Sequence, residues 1–362
     1  MTPSRRQALT AGLGVGVAGV AGCLDGLFGT SGPDPTEPSS DFDVPLRDHE
    51  VPLIHDFSEF TDGAVSGGVG QDGIPSIDDP DFDTADSGGD SLTPGAPVFG
   101  VEKDGDARAY PQRILVRHEI VNDEFDGDSI AVTYCPLTGT AIGFERGSVE
   151  FGVSGMLVNS NLIMYDRDSE GWWPQILGVC VNCDAAIQGR ALREVRVTWT
   201  TWERWKETYP ETQVLTENTG EAFDYDRQVY GSYDPPAGYY ANGRIMFSLL
   251  SENDTHHPKE VFIGARSADG AVAFHKNRLR EDNLLDATVN GTPYLAAYHH
   301  DLDSAWVYRN PEGMEFEAGD GGYRSADGDR YAADELPLSS VNAFDAMWFA
   351  WAAFYPNTVV VD

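Results

Sequence analysis

Lysine is nearly missing from this chain. Four stand among 362 residues: Lys103, Lys206, Lys259 and Lys276. Lysine and arginine together number 24 against 59 acidic residues, and the formal net charge is −35. A nucleic-acid binder needs cations to displace the counterions of phosphate, so that class is excluded. Docking on an anionic membrane through a basic patch is excluded for the same reason. Long apolar runs are missing too. The uncharged stretch 8–22 has fifteen weakly apolar residues, too few to span a bilayer. There is no phosphate-cradling glycine loop, no G-x-S-x-G elbow and no H-E-x-x-H pair.

What is present argues for a folded, exported protein. Hydrophobic residues make up 41% of the chain and eight are tryptophan, which excludes a disordered acidic chain. At roughly 100–200 residues per domain, two domains are expected. Acidity is spread along the chain, with arginine in place of lysine. That pattern points to work in concentrated salt, where carboxylates hold water and cations; an ordinary acidic secreted protein is the alternative.

Residues 1–23 read as an address. Ser4-Arg5-Arg6-Gln7-Ala8-Leu9 resembles a twin-arginine export signal, and Val20-Ala21-Gly22-Cys23 resembles a lipobox. Cys23 is then the lipidated first residue, anchoring the protein to the outer face of the cell membrane. Residues 24–60 read as a flexible tether and lead-in, and 61–97 as a loop-rich wrap.

The remainder reads as an internal duplication, with repeat one at 98–216, a connection at 217–260 and a shorter scaffold copy at 261–362. Val98-Phe99 aligns with Val261-Phe262, Ala109-Tyr110 with Ala273-Phe274, and Tyr134-Cys135 with Tyr298-His299. Trp202, Trp205 and Tyr209-Pro210 align with Trp348, Trp351 and Tyr355-Pro356. Each unit is expected to start with a hairpin, 98–102 and 107–110 turning at Asp104-Gly105. A helix near 111–123 begins at Pro111. Strands are expected at 129–134, 140–145 and 149–154, a helix at 200–209, and a closing strand at 213–215. In copy two a longer apolar helix covers 342–354, and about 19 residues are missing between Phe316 and Trp348. The fold class is α+β, mainly antiparallel sheet with one or two helices per repeat.

Several motifs resemble the domain of unknown function 3179 family. They are Val132-Thr133-Tyr134-Cys135-Pro136-Leu137, Tyr165-Asp166-Arg167, His118-Glu119-Ile120-Val121-Asn122-Asp123 and His257-Pro258-Lys259-Glu260. The resemblance runs from about Gly67 to the C-terminus. It implies an exported protein of unassigned activity. Family members usually read C-P-L-C, whereas this chain has Thr138 in the second cysteine's place. A two-thiol chemistry at that loop is therefore in doubt.

The candidate chemistry gathers in repeat one. Cys135 ends a strand, and His118 on the preceding helix could face it as base to nucleophile or as half of a soft-metal site. Cys180-Val181-Asn182-Cys183 has C-x-x-C spacing, which suits a disulfide or two thiolates on one metal. With Cys135 and His118 they would complete a Cys3His set for copper, iron or zinc. The bland reading is a buried cysteine acting as a small hydrophobe. Asn159, Asn161, Asp166, Trp173 and Gln175 suit a ligand pocket with aromatic walls and orienting amides, or else a core. A noncatalytic ligand- or partner-binding surface module is thus the alternative function. A cysteine hydrolase, requiring a thiolate of depressed pKa, is a third. His256-His257 and His299-His300 read as surface residues, and Asn253 and Asn290 fit the glycosylation sequon.

Overall fold

The computed structural model describes residues 44–362 apart from 49, 50, 126 and 320. The export signal, Cys23 and most of the tether lie outside the described residues. Among the described residues no helix is long and apolar enough to cross a membrane.

The first half starts with strands β1 (Pro97–Lys103) and β2 (Asp106–Pro111), joined at Asp104-Gly105 as the turn chemistry requires. Both turn residues have positive φ. Helix α1 (Gln112–His118) follows Pro111. It ends five residues earlier than the sequence suggests. Glu119 adopts a left-handed φ of 60° and its N–H bonds back to Leu115 O, which closes the helix. The residues beyond it, expected as helix, form β3 (Ile120–Phe125). Its Ile120-Val121 start favours strand. Strands β4 (Asp128–Cys135) and β5 (Thr140–Glu145) then complete an antiparallel meander. Strands β6 (Phe151–Val158), β7 (Asn161–Asp166) and β8 (Trp172–Pro174) form a second one. Strand β9 (Thr198–Thr201) leads to helix α2 (Trp202–Thr208) and strand β10 (Gln213–Leu215), which pairs parallel to β2.

The second half runs β11 (Val261–Ser267), β12 (Gly270–His275), α3 (Lys276–Asp282), β13 (Leu284–Val289), β14 (Thr292–His299) and β15 (Ser304–Arg309). After β16 (Ala343–Met347) come α4 (Trp348–Phe354) and β17 (Val359–Val361). The long apolar helix expected from residue 342 is therefore two elements. An apolar run has no periodicity to separate strand from helix. Here Asn342-Ala343-Phe344-Asp345 extends along β11, and buried Asp345 accepts an ion pair from Lys276 at 2.5 Å. All seven residues of α4 are buried.

Corresponding sheets have corresponding orders. The first half stacks β9-β1-β2-β10 with the short strand Phe82–Thr84 at the edge, and the second stacks β16-β11-β12-β17. In both, the final strand runs parallel to the second strand of the hairpin. In both, a glycine on the first strand makes room for a tryptophan. A Cβ at Gly100 would lie 2.1 Å from the Trp205 ring, and one at Gly264 would lie 2.2 Å from Trp351. Each indole N–H donates to a threonine, Thr212 at 2.9 Å and Thr358 at 3.0 Å. The glycines correct the sequence alignment at Val98 by one position. Because Trp205 is 1% exposed and has nowhere to go, Gly100→Ala is expected to cost about 3 kcal/mol. A urea titration reads this directly, and a loss below about 1 kcal/mol would contradict the packing described.

The halves meet through one apolar cluster, in which Phe144, Ile176 and Leu177 join Phe344, Met347 and Trp351, and through buried charge. Glu194 accepts from Arg47, Arg266 and Asn342. Arg196 reaches Ser304, Ala305 O and Ala343 O and lies 3.6 Å from the Trp306 ring centre. Residues 316–331 of the second half form a small three-stranded sheet of their own.

Candidate functional site

Cys135, at the end of β4, is 1% exposed. Its thiol points toward Ser160 O at 3.8 Å, in the tight turn between β6 and β7. Burial pushes the thiol up to about 11, and the Glu119 carboxyl adds to that rise. The thiol is therefore protonated at neutral pH, which argues against a cysteine hydrolase.

Glu119 stands in the sequence only as part of the His118-Glu119 motif, and in the structure it is a central candidate. Its left-handed backbone costs roughly 1–2 kcal/mol for a residue with a Cβ. Asn283, an asparagine suited to that conformation, caps α3 in the second half. The Glu119 side chain is 8% exposed and makes no hydrogen bond or ion pair among the described residues. Burial alone pushes it up to about 8. A left-handed backbone and a largely buried carboxyl without a protein partner make Glu119 a candidate functional position.

The segment 217–260 lies over this pair. Tyr239 donates to Leu137 O at 2.8 Å, Ser160 Oγ donates to Phe247 O at 3.1 Å, and Leu250 N donates to Asn159 Oδ1 at 2.7 Å. Tyr230 lies within electrostatic reach of both Glu119 and Cys135. Lys259, 8% exposed, sits 2.9 Å from the Tyr239 ring centre, and desolvation pushes it down to about 7. Five tyrosines fall between 225 and 240. That density was the signal available in a stretch read only as a connection.

His118 does not serve Cys135. Its Nδ1 lies 2.8 Å from Pro75 O, which can only accept, so Nδ1 carries the proton. Nε2 then accepts from the Tyr225 hydroxyl at 2.7 Å, and Tyr225 also meets Thr219 Oγ1. Burial lowers the His118 pKa and keeps the ring neutral. Both ring nitrogens are occupied.

The four-ligand metal set is likewise not assembled. Cys180 and Cys183 are joined as a disulfide, which removes both thiolates. Among the described residues no three histidine, cysteine or carboxylate side chains are grouped to hold a metal ion. Cys135 and Glu119 alone do not fit copper, iron or zinc as a closed site.

The proposed ligand-pocket residues are brought together, but they face one another. Asn161, Asp166, Trp173 and Gln175 are fully buried, and Asn159 is 1% exposed. Gln175 Nε2 donates to Thr133 Oγ1 at 3.0 Å and Thr140 O at 3.1 Å. Its Oε1 accepts from Thr140 Oγ1 at 2.7 Å and Asn161 Nδ2 at 2.9 Å. Asp166 accepts the Trp173 indole N–H at 2.9 Å and ties the following turn through Ser169 and Gly171. These side chains are buried against one another, with Trp173 fully enclosed among the described residues. Asn159 Nδ2 is the exception, a buried donor without a partner next to Ser160.

The histidine pairs of the second half split. His256 lies between Glu260 and Asp362, His299 packs on Trp306, and His300 is exposed.

The family model described as protein of unknown function (DUF3179) matches residues 71–358. No curated protein and no solved structure matches the chain.

Proposed function

The chain belongs to the family of proteins of unknown function DUF3179, and from that premise we propose a lipid-anchored extracytoplasmic protein whose working centre is the Cys135 thiol with the Glu119 carboxyl. The twin-arginine signal and the lipobox at Cys23 support the location, and the acid-rich, lysine-poor composition supports a salty environment. The shared strand orders and the paired Gly–Trp contacts support an internal duplication. In that duplication the first copy carries Glu119 and Cys135 where the second carries Asn283 and His299.

The observation that carries the functional reading is Glu119: a strained, buried, unpaired carboxyl within electrostatic reach of a buried thiol. Both groups are neutral near pH 7. Glu119 is the acid, able to give its proton to a bound electrophile. Cys135 is a nucleophile that gains thiolate character when segment 217–260 opens and water reaches it.

Iodoacetamide labelling tests this. The folded protein is expected to react at Cys135 at least a hundredfold slower at pH 7 than a free thiol, because so little thiolate is present. Above pH 8 Glu119 is ionised and repels a thiolate. Glu119→Gln should therefore speed labelling several-fold at pH 9 and hardly at all at pH 6. Equal rates in both proteins at pH 9 would show that Glu119 does not act on the thiol and would sink the reading.

A further inference from the structure

Two hollows open side by side where segment 217–260 packs on the first half, and Tyr230, which borders the first of them, also lies within electrostatic reach of the thiol. They enclose about 280 Å³ and about 300 Å³, and they share Leu92, Pro111 and Arg113. Arg113 thus stands at their junction. It forms an ion pair with Glu217 and donates to Ser91 Oγ at 3.0 Å, while its Nε is buried without a partner. The first hollow is walled by Tyr225, Tyr230 and Tyr233, with Gln112 at its side. The second is lined by the hydroxyls of Ser87, Ser91 and Thr216 and by the carboxylates of Asp83 and Glu217.

The chemistry of these walls selects a class of ligand. An anion would meet Asp83, Glu217 and Asp226. A cation would meet Arg113 and Arg227. Displacing the water from either kind of ion without a dedicated partner is costly. A neutral ring bearing hydroxyls meets no such penalty. Its C–H face lies on tyrosine rings, and its hydroxyls both donate and accept. Planar guanidinium, amide and carboxylate groups answer both roles. His118 contributes at a distance: it accepts the Tyr225 hydroxyl proton and so fixes the ring that forms one wall. Two hollows sharing one arginine correspond to two rings joined end to end.

We propose that these joined hollows bind a neutral carbohydrate of two linked rings, with Arg113 at the linkage. The two sites share segment 217–260, with Tyr230 bordering both. His118, a candidate partner for Cys135 in the sequence, is here a positioning residue for Tyr225.

Saturation-transfer NMR on the full chain tests the proposal, with maltose and cellobiose as probes and citrate and choline as charged controls. At least one disaccharide should bind, and neither control should. Arg113→Ala should weaken that binding at least tenfold. Tyr225→Phe, which keeps the ring but loses its tie to His118, should weaken it several-fold. Far-ultraviolet circular dichroism confirms that each variant is folded, and the milder Tyr225 variant decides the matter if Arg113→Ala is not. Failure of both disaccharides to bind, stronger binding of citrate or choline, or unaltered affinity in both folded wall variants would overturn it.

Discussion

Replacing Glu119 with glutamine is expected to raise thermal stability strongly at pH 9 and hardly at all at pH 5. The reason is proton linkage. Below about pH 4.5 the carboxyl is protonated in folded and unfolded chains alike. Between there and about pH 8 the folded protein keeps a proton that the unfolded chain has released, so stability declines as pH rises. Above about pH 8 the full cost of a buried, unpaired carboxylate is present. Each tenfold change in proton affinity is worth about 1.4 kcal/mol, so the variant should gain about 3–5 kcal/mol at pH 9. That corresponds to a rise on the order of 10 °C in the melting midpoint. Lys259, whose pKa is lowered to about 7, pulls the other way as pH rises. It is common to both proteins and cancels in their difference. Scanning calorimetry of the pair across pH reads the result. A difference independent of pH would mean that Glu119 is solvated or paired in solution.

The second large effect is expected at Gln175. The side chain makes four hydrogen bonds, all within the interior. Gln175→Ala removes them and leaves Thr133, Thr140 and Asn161 short of partners. An unsatisfied buried polar group costs about 1–3 kcal/mol, and several here share one partner. A total loss of about 3–5 kcal/mol follows, among the larger values seen for single substitutions. Urea unfolding measures it. The ligand-pocket reading of the sequence makes the opposite forecast, with stability kept and binding lost. A loss under about 1 kcal/mol would favour that reading and refute the network.

Both predictions fall on residues whose role the sequence could not separate. Asn161, Asp166, Trp173 and Gln175 have the composition of a binding pocket. They also have the composition of a closed polar network, since amides, a carboxylate and an indole serve either. Only their mutual distances decide it. Local signals were more legible. The Asp104-Gly105 turn, the Pro111 helix start and the one-sided tryptophans Trp202 and Trp205 all mark elements present in the structure. Boundaries failed where the chemistry was tertiary. Residues 120–123 join β4 instead of extending a helix, and 343–347 pair with β11 despite an apolar run that also suits a helix. The C-x-x-C spacing was compatible with metal or disulfide, and the structure has the disulfide. Glu119 was hardest to see. A glutamate after a histidine carries no mark of its left-handed backbone, and the tyrosine-rich segment that covers it begins about a hundred residues later.

The parallel closing strand of each half bears on the order in which the chain is made. Strand β10 ends at Leu215, so every strand of the first half's hairpin sheet has left the ribosome before residue 261 is added. That half can close while its neighbour is still unwritten. The face it then presents carries Glu194 and Arg196, whose partners in the second half come at least seventy residues later. The same face carries Phe144, Ile176 and Leu177, which share one apolar cluster with Phe344, Met347 and Trp351 of the second half, so a half-finished molecule waits with an apolar seam as well as ionic side chains turned to water. Such a surface is satisfied only by its one late-arriving complement, the second half of the same chain.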